Sequence, residues 1–189
     1  MNKRKSSDVA TISIFFAAML LIHLLSSLLF SVWLVPIKPT LMHIPVIIAS
    51  IVYGPKVGGA LGGLMGLISM ITNTLVLLPT SYLFSPFVEN GTLASALIAF
   101  LPRILIGIVP YFIYKWFHNK TGLFLAGLLG SLTNTVFVLS GIFIFFSSVY
   151  GNDIKRVLGT IITANSVAEM VISAILTAAI VPSLLKLKK

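Results

Sequence analysis

The sequence predicts an all-α integral membrane protein, about six transmembrane helices in one compact bundle, and three observations carry that expectation. Hydrophobic residues make up 58% of the 189-residue chain and charged residues only 9%, with a mean hydropathy of +1.09. That leaves too little polar surface to cover a water-soluble globule. The apolar residues come in long runs broken by Pro, Gly and charge clusters, and a spanning helix needs about 20 of them. Basic residues gather at alternate breaks, as the resistance of Lys and Arg to translocation requires.

The breaks give helices at 9–32, 41–53, 56–78, 92–117, 121–147 and 157–185, in a single membrane domain covering 1–189. The first run, Val9 to Val32, exceeds the short apolar core of a signal peptide and reads as a retained helix. The second is the shortest. Pro45 and the Gly54-Pro55-Lys56 break leave it barely enough rise to cross a bilayer unless Pro36 to His43 contributes, so five spans is the alternative. The third carries Gly58, Gly62 and Gly66, a small-residue stripe that lets helix backbones approach closely in lipid. The fourth contains Arg103, the fifth starts after the Lys115–Lys120 turn, and the sixth follows Lys155 and Arg156.

Nine of the thirteen basic residues (Lys3, Arg4, Lys5, Lys56, Lys115, Lys120, Lys186, Lys188 and Lys189) fall on one side of this arrangement. Both termini are therefore expected in the cytoplasm. The formal charge of +9 needs no nucleic acid partner, because most of it is this topological signature, with anionic membrane lipid as a further contact. The chain has no cysteine, so disulfide and thiolate chemistry are excluded. His23, His43 and His118 lack metal-ligand spacing and read as interfacial or packing residues; no metal and no cofactor is expected. No phosphate-binding loop occurs, since the Gly58–Gly63 cluster lacks its Lys, and no nucleophile–base pair stands out.

Polar residues inside the apolar runs are the informative ones. Thr72-Asn73-Thr74 in the third helix is echoed by Thr133-Asn134-Thr135 in the fifth. Each Asn follows small residues four and seven positions earlier: Ser69 and Gly66 before Asn73, Gly130 and Gly127 before Asn134. Arg103 joins them, with Asn165 and Glu169 four residues apart on one face of the sixth helix. Charges in hydrocarbon are costly and mark a cavity, a pathway or an ion pair. Counted from the helix ends, these residues fall in one layer and suggest an outward-facing pocket. The competing reading makes the asparagines helix-packing glue and Arg103–Glu169 a buried pair that fixes register. The outer loops around Trp33–Thr40 and Leu78–Phe87, with Tyr82 and Phe84, combine proline stiffness with aromatic rings. They read either as lids over a small ligand or as an interfacial aromatic belt.

The order of these pieces resembles a known family. The segment Lys38-Pro39-Thr40-Leu41-Met42-His43-Ile44-Pro45, the following Tyr53-Gly54-Pro55-Lys56-Val57-Gly58-Gly59-Ala60, and the Ser85-Pro86-Phe87 loop resemble the S components, the substrate-binding subunits, of energy-coupling factor (ECF) vitamin transporters. The resemblance implies a vitamin binder that docks onto a transmembrane coupling protein and two ATPase subunits, which use the ATP. It further implies that the third- and fifth-helix polar residues and the outer loops, here Thr72, Asn73, Tyr82, Phe84 and Asn134, surround the ligand. The family's first-helix Ala-x-x-x-Ala docking face is matched by Ser13 and Ala17, with Ala10 one turn earlier. Thr-Asn-Thr with the Ser-Pro-Phe loop and an intramembrane Arg looks most like the pantothenate-specific branch. Pantothenate would offer a carboxylate to Arg103, and hydroxyls and an amide to Asn73, Asn134 and Asn165. Pyridoxine, hydroxymethylpyrimidine and riboflavin remain alternative ligands, and an autonomous secondary transporter is the alternative outside the family.

Overall fold

The computed structural model describes residues 3–32, 41–146 and 152–188, with side chains described over 8–28, 41–146 and 165–188. The first outer loop, 33–40, and the turn at 147–151 lie outside those residues. Among the described residues the order is α1 Lys3–Val32, α2 His43–Tyr53, α3 Pro55–Leu75, a 3₁₀ turn Ser81–Leu83, α4 Leu93–Ile106, α5 Val109–Trp116, α6 Lys120–Phe145 and α7 Asn152–Leu187. Among the described residues five stretches are long and apolar enough to span a membrane: 8–28, 55–75, 93–116, 120–145 and 165–187, with His43–Tyr53 as a shorter apolar helix.

That short helix is the centre of the bundle. Every residue of α2 from His43 to Val52 is buried, and one contiguous core gathers around it from Met19, Leu61, Met65, Ile106, Ala126 and Val181. A helix buried on all sides reads as a continuous apolar run, which is why its sequence resembles a truncated span. Gly54 ends it at φ +100°, a left-handed conformation that side chains resist, and Pro55 at the first turn of α3 starts the next helix.

α3 and α4 run antiparallel in near backbone contact. A Cβ at Gly58, Gly62 or Gly66 would strike the backbone of Gly107, Arg103 or Ala99 respectively. Four-residue steps up α3 thus match four-residue steps back along α4, a small-residue ridge seated on its partner. The expected helix at 92–117 is instead two. Pro110 has no N–H to continue the ladder and its ring opposes the carbonyl four residues back, so the chain turns at Gly107–Ile108 through bonds from Gly107 N to Ile104 O and from Ile108 N to Leu105 O.

α3 stops at Leu75, before the expected 78. Pro79 disfavours helix in the residue before it, and the Ser81 hydroxyl accepts from Leu78 N at 2.9 Å and donates to Val76 O at 3.0 Å. The 76–92 loop then packs down on the bundle. Leu83 joins Ile98, Val138, Ile142 and Phe146 in a second core, with Tyr82 and Phe84 against it. Ser95 anchors the loop by donating to Tyr82 O at 2.5 Å while capping the start of α4 with Thr92. We call this the loop end of the bundle; Lys56, Lys115, Lys120 and Lys188 mark the opposite, lysine-bearing end.

Candidate functional site

Arg103 is the buried charge on which the site is built. It is 9% exposed, and its neighbour explains part of its placement. Pro102 cannot donate to Ile98 O, its partner in a regular ladder. The Arg103 guanidinium supplies the missing donor, bonding Ile98 O at 2.6 Å through one terminal nitrogen. The side chain therefore runs back toward the loop end. There Phe84 covers it, with the ring centroid 5.1 Å from the guanidinium carbon. Ser85, next to Phe84, meets the Thr74 hydroxyl at 2.7 Å, and so links the end of α3 to the cover over Arg103. The Arg103 Nε has no hydrogen-bond partner among the described residues.

Helix registers decide what shares its level. Gly141 of α6 packs on Ile98 of α4, so Arg103, five residues further along the antiparallel α4, stands opposite Val136. Gly127 meets Ala174 and Thr135 donates to Ser166 at 2.7 Å; the same register sets Val136 opposite Asn165. Arg103, Asn134 and Asn165 therefore lie within two residues of one level, and Glu169 one turn, about 6 Å, nearer the lysine end. Glu169 is 7% exposed and within electrostatic reach of the Arg103 guanidinium. Asn134 is half-buried, and its amide oxygen is enclosed without a hydrogen-bond partner among the described residues.

Asn73 stands elsewhere. The α3–α4 register continues from Gly66–Ala99 to place it opposite Thr92, eleven residues from Arg103 and about 16 Å nearer the loop end. Its amide nitrogen donates back to Ser69 O at 2.8 Å. The shared layer expected from counting along each helix thus holds for Asn134, Asn165 and Arg103 but does not extend to Asn73. The end of α3 three residues before 78 accounts for about 4.5 Å of that difference, and the α3–α4 packing register sets the rest. Thr72 is half-buried beside Asn73. Above them a groove of about 590 Å³ opens at the loop end, lined by Thr74, Leu78, Ser81, Tyr82, Phe87 and Glu89 among others. Tyr82 presents its ring edge to Phe146 at 5.6 Å between centroids.

The small-residue positions on α1, Ala10, Ser13 and Ala17, are all exposed, with the Ser13 hydroxyl returned to Val9 O at 2.9 Å. α1 packs on the core through Met19, fully buried, with Ile12, Phe15 and Phe16 against it, and the Phe15 ring meets Tyr53 at 5.7 Å between centroids. The fold also brings together polar residues that the sequence did not connect. His43 is buried and its Nε2 meets the Ser173 hydroxyl at 2.7 Å. Ser173 and Thr177 continue the four-residue stripe of Asn165 and Glu169 down α7, and both are fully buried. That spacing was a readable signal; the pairing with His43, 130 residues away, was not.

Charged and amide side chains at depth among apolar helices, with Phe84 of the outer loop over Arg103, mark the chain as a multi-pass membrane protein with a candidate polar site. A family profile described as "ECF transporter, substrate-specific component" matches residues 7–181. The chain is 48% identical over 191 residues to the "Pantothenic acid transporter PanT" of Lactococcus lactis subsp. cremoris, covering 98% of this chain and 97% of that protein. It is 29% identical to the "Pantothenate transporter PanT" of Leuconostoc mesenteroides subsp. mesenteroides, covering 95% of this chain and 91% of that one. The chain belongs to the family of substrate-specific components of ECF transporters.

Proposed function

We propose that this chain is a pantothenate-specific S component: it binds the vitamin in a pocket around the Arg103 layer and delivers it through a coupling protein and two ATPase subunits. The observation that carries the ligand assignment is the pair of unmet polar atoms at one level. Arg103 Nε is a donor and Asn134 Oδ1 an acceptor, both enclosed without partners among the described residues. A ligand with a carboxylate beside hydroxyl and amide groups satisfies both, and pantothenate has that pattern. The names of the two relatives point to the same vitamin. Asn165 and Glu169 line the far side of this pocket, and Phe84 and Tyr82 its cover. Thr72 and Asn73 belong to the entrance, where a ligand passing the loop-end groove meets them first.

Ala10, Ser13 and Ala17 serve as the docking face, since small exposed side chains on α1 let a second helix approach closely. With both termini cytoplasmic, the loop end faces outward and collects ligand there. The chain supplies no ATPase of its own in this scheme; ATP is used by the partners. Proteoliposomes holding this chain with its coupling protein and ATPases should accumulate labelled pantothenate only with ATP on the ATPase side. Uptake by this chain alone, driven by an ion gradient, would overturn the proposal.

A further inference from the structure

Arg103 and Glu169 give the ligand-free layer one cation and one anion. Both are buried, and they lie within electrostatic reach of each other. Arg103 is the only titratable residue of α4. α7 packs on α6 and α2; α6 has no titratable residue after Lys120 at its start, and α2 has only His43 and Tyr53. His43 is bonded to Ser173, one turn along α7 from Glu169. α1, which borders α7 at Leu176 and Leu184, adds half-buried His23, and on α7 itself Glu169 is the only titratable residue between Arg156 and Lys186.

With pantothenate as the proposed ligand, on which this inference rests, a second carboxylate enters the balance. Two carboxylates and one guanidinium would leave a net negative charge enclosed among apolar helices. A buried charge without a counterion neutralises instead, and of two carboxylates crowded at one site one holds a proton. Arg103 Nε is the open donor, so the ionised carboxylate at that position is the ligand's. Glu169 stands one turn, about 6 Å, from that level, and is the carboxylate that loses its share of the cation. A protonated carboxyl needs an acceptor for its O–H. Ser131 stands at the right level to offer one. The register that sets Gly127 on Ala174 and Thr135 on Ser166 puts Ser131 opposite Met170, and its buried hydroxyl has no partner among the described residues.

We propose that binding of pantothenate is coupled to the uptake of one proton by Glu169. The proton comes from the solution that supplies the vitamin and leaves with it on release. Anion and proton therefore enter and leave the site as a neutral pair, and its charge is the same empty or loaded.

Isothermal titration of the purified chain in buffers of different ionisation heat counts the protons taken up with pantothenate. Titrations from about pH 6.5 to about pH 8, above the range in which free carboxylates titrate, give the linked change in affinity. The count should be close to one, and affinity should fall about tenfold per pH unit. Glu169→Gln, which imitates the protonated acid, should bind pantothenate with no proton uptake and a flat pH profile. The alcohol analogue of pantothenate has no charge to balance, so it should bind the unaltered chain with no proton uptake; this arm decides the matter if Glu169→Gln does not fold, as judged by its thermal melt. Pantothenate binding with a count below about half and a flat pH profile would overturn this inference alone. Equal uptake with the acid and the alcohol would also overturn it, as would a count of one that survives Glu169→Gln and so assigns the proton to His43 or His23. No binding of pantothenate at any pH would overturn the ligand assignment, and this inference with it.

Discussion

Replacing Arg103 by Met separates ligand chemistry from fold chemistry, because the side chain serves both. On the fold side it loses the bond to Ile98 O, the carbonyl that Pro102 leaves without a donor. Leaving such a buried acceptor unpaired costs about 1–3 kcal/mol. Glu169 also loses its nearby cation, so the variant should melt at a lower temperature. On the ligand side, removing one member of a buried, hydrogen-bonded charge pair costs about 2–5 kcal/mol, so pantothenate affinity should fall at least about 30-fold. The alcohol analogue of pantothenate has no carboxylate to lose. Its loss should be that of a neutral hydrogen bond, about 0.5–1.5 kcal/mol, or about tenfold at most. Isothermal titration of both ligands against both proteins, well below either melting temperature, gives the four affinities. Equal losses for the acid and the alcohol would refute a carboxylate at Arg103, and would leave the residue a structural answer to Pro102.

Asn134→Leu removes an enclosed oxygen that has no partner among the described residues, so its thermal melt should be unchanged or higher while affinity falls by about 1–3 kcal/mol. A lower melt with intact affinity would instead make Asn134 helix glue. Asn73→Leu should cost less affinity than Asn134→Leu, since Asn73 sits about 16 Å from the Arg103 level with its amide turned back on Ser69; the reverse order would move the pocket to the loop end. Gly62→Ala drives a Cβ into the Arg103 carbonyl and should destabilise by about 1–3 kcal/mol, with affinity falling as Arg103 shifts, both readable from one melt and one titration. Ala17→Trp should weaken co-purification with the coupling protein while binding stays within twofold or so, because Ala17 is exposed on α1 and Arg103 is buried on α4.

Much of this fold is legible in the sequence because lipid leaves few options for a backbone: long apolar runs must be helices. The Gly54-Pro55 break appears where read, and the Gly58, Gly62, Gly66 stripe does bring backbones together. What escapes is local competition within a run. Pro110 divides one expected helix into α4 and α5, and Pro79 with the Ser81 hydroxyl ends α3 early. Both effects depend on which carbonyl finds another donor, and the hydropathy pattern is silent on that. The candidate site divides in the same way. Arg103, Asn134, Asn165 and Glu169 declare themselves as polar residues in hydrocarbon, but their relative depth is set by packing registers such as Gly141 on Ile98. Asn73 was placed with them by counting from the helix ends, and the packing registers set the two Thr-Asn-Thr segments at different heights. His43 allowed either an interfacial or a packing place, and it lies in the core because α2 is the central helix.

The most direct test of the pantothenate assignment is isothermal titration of the purified chain, alone in mild detergent, with pantothenate, riboflavin, pyridoxine and hydroxymethylpyrimidine in turn. The account predicts saturable one-to-one binding of pantothenate, with no heat from the other three and no displacement of pantothenate by them. Saturable binding of one of the others with none of pantothenate would contradict it.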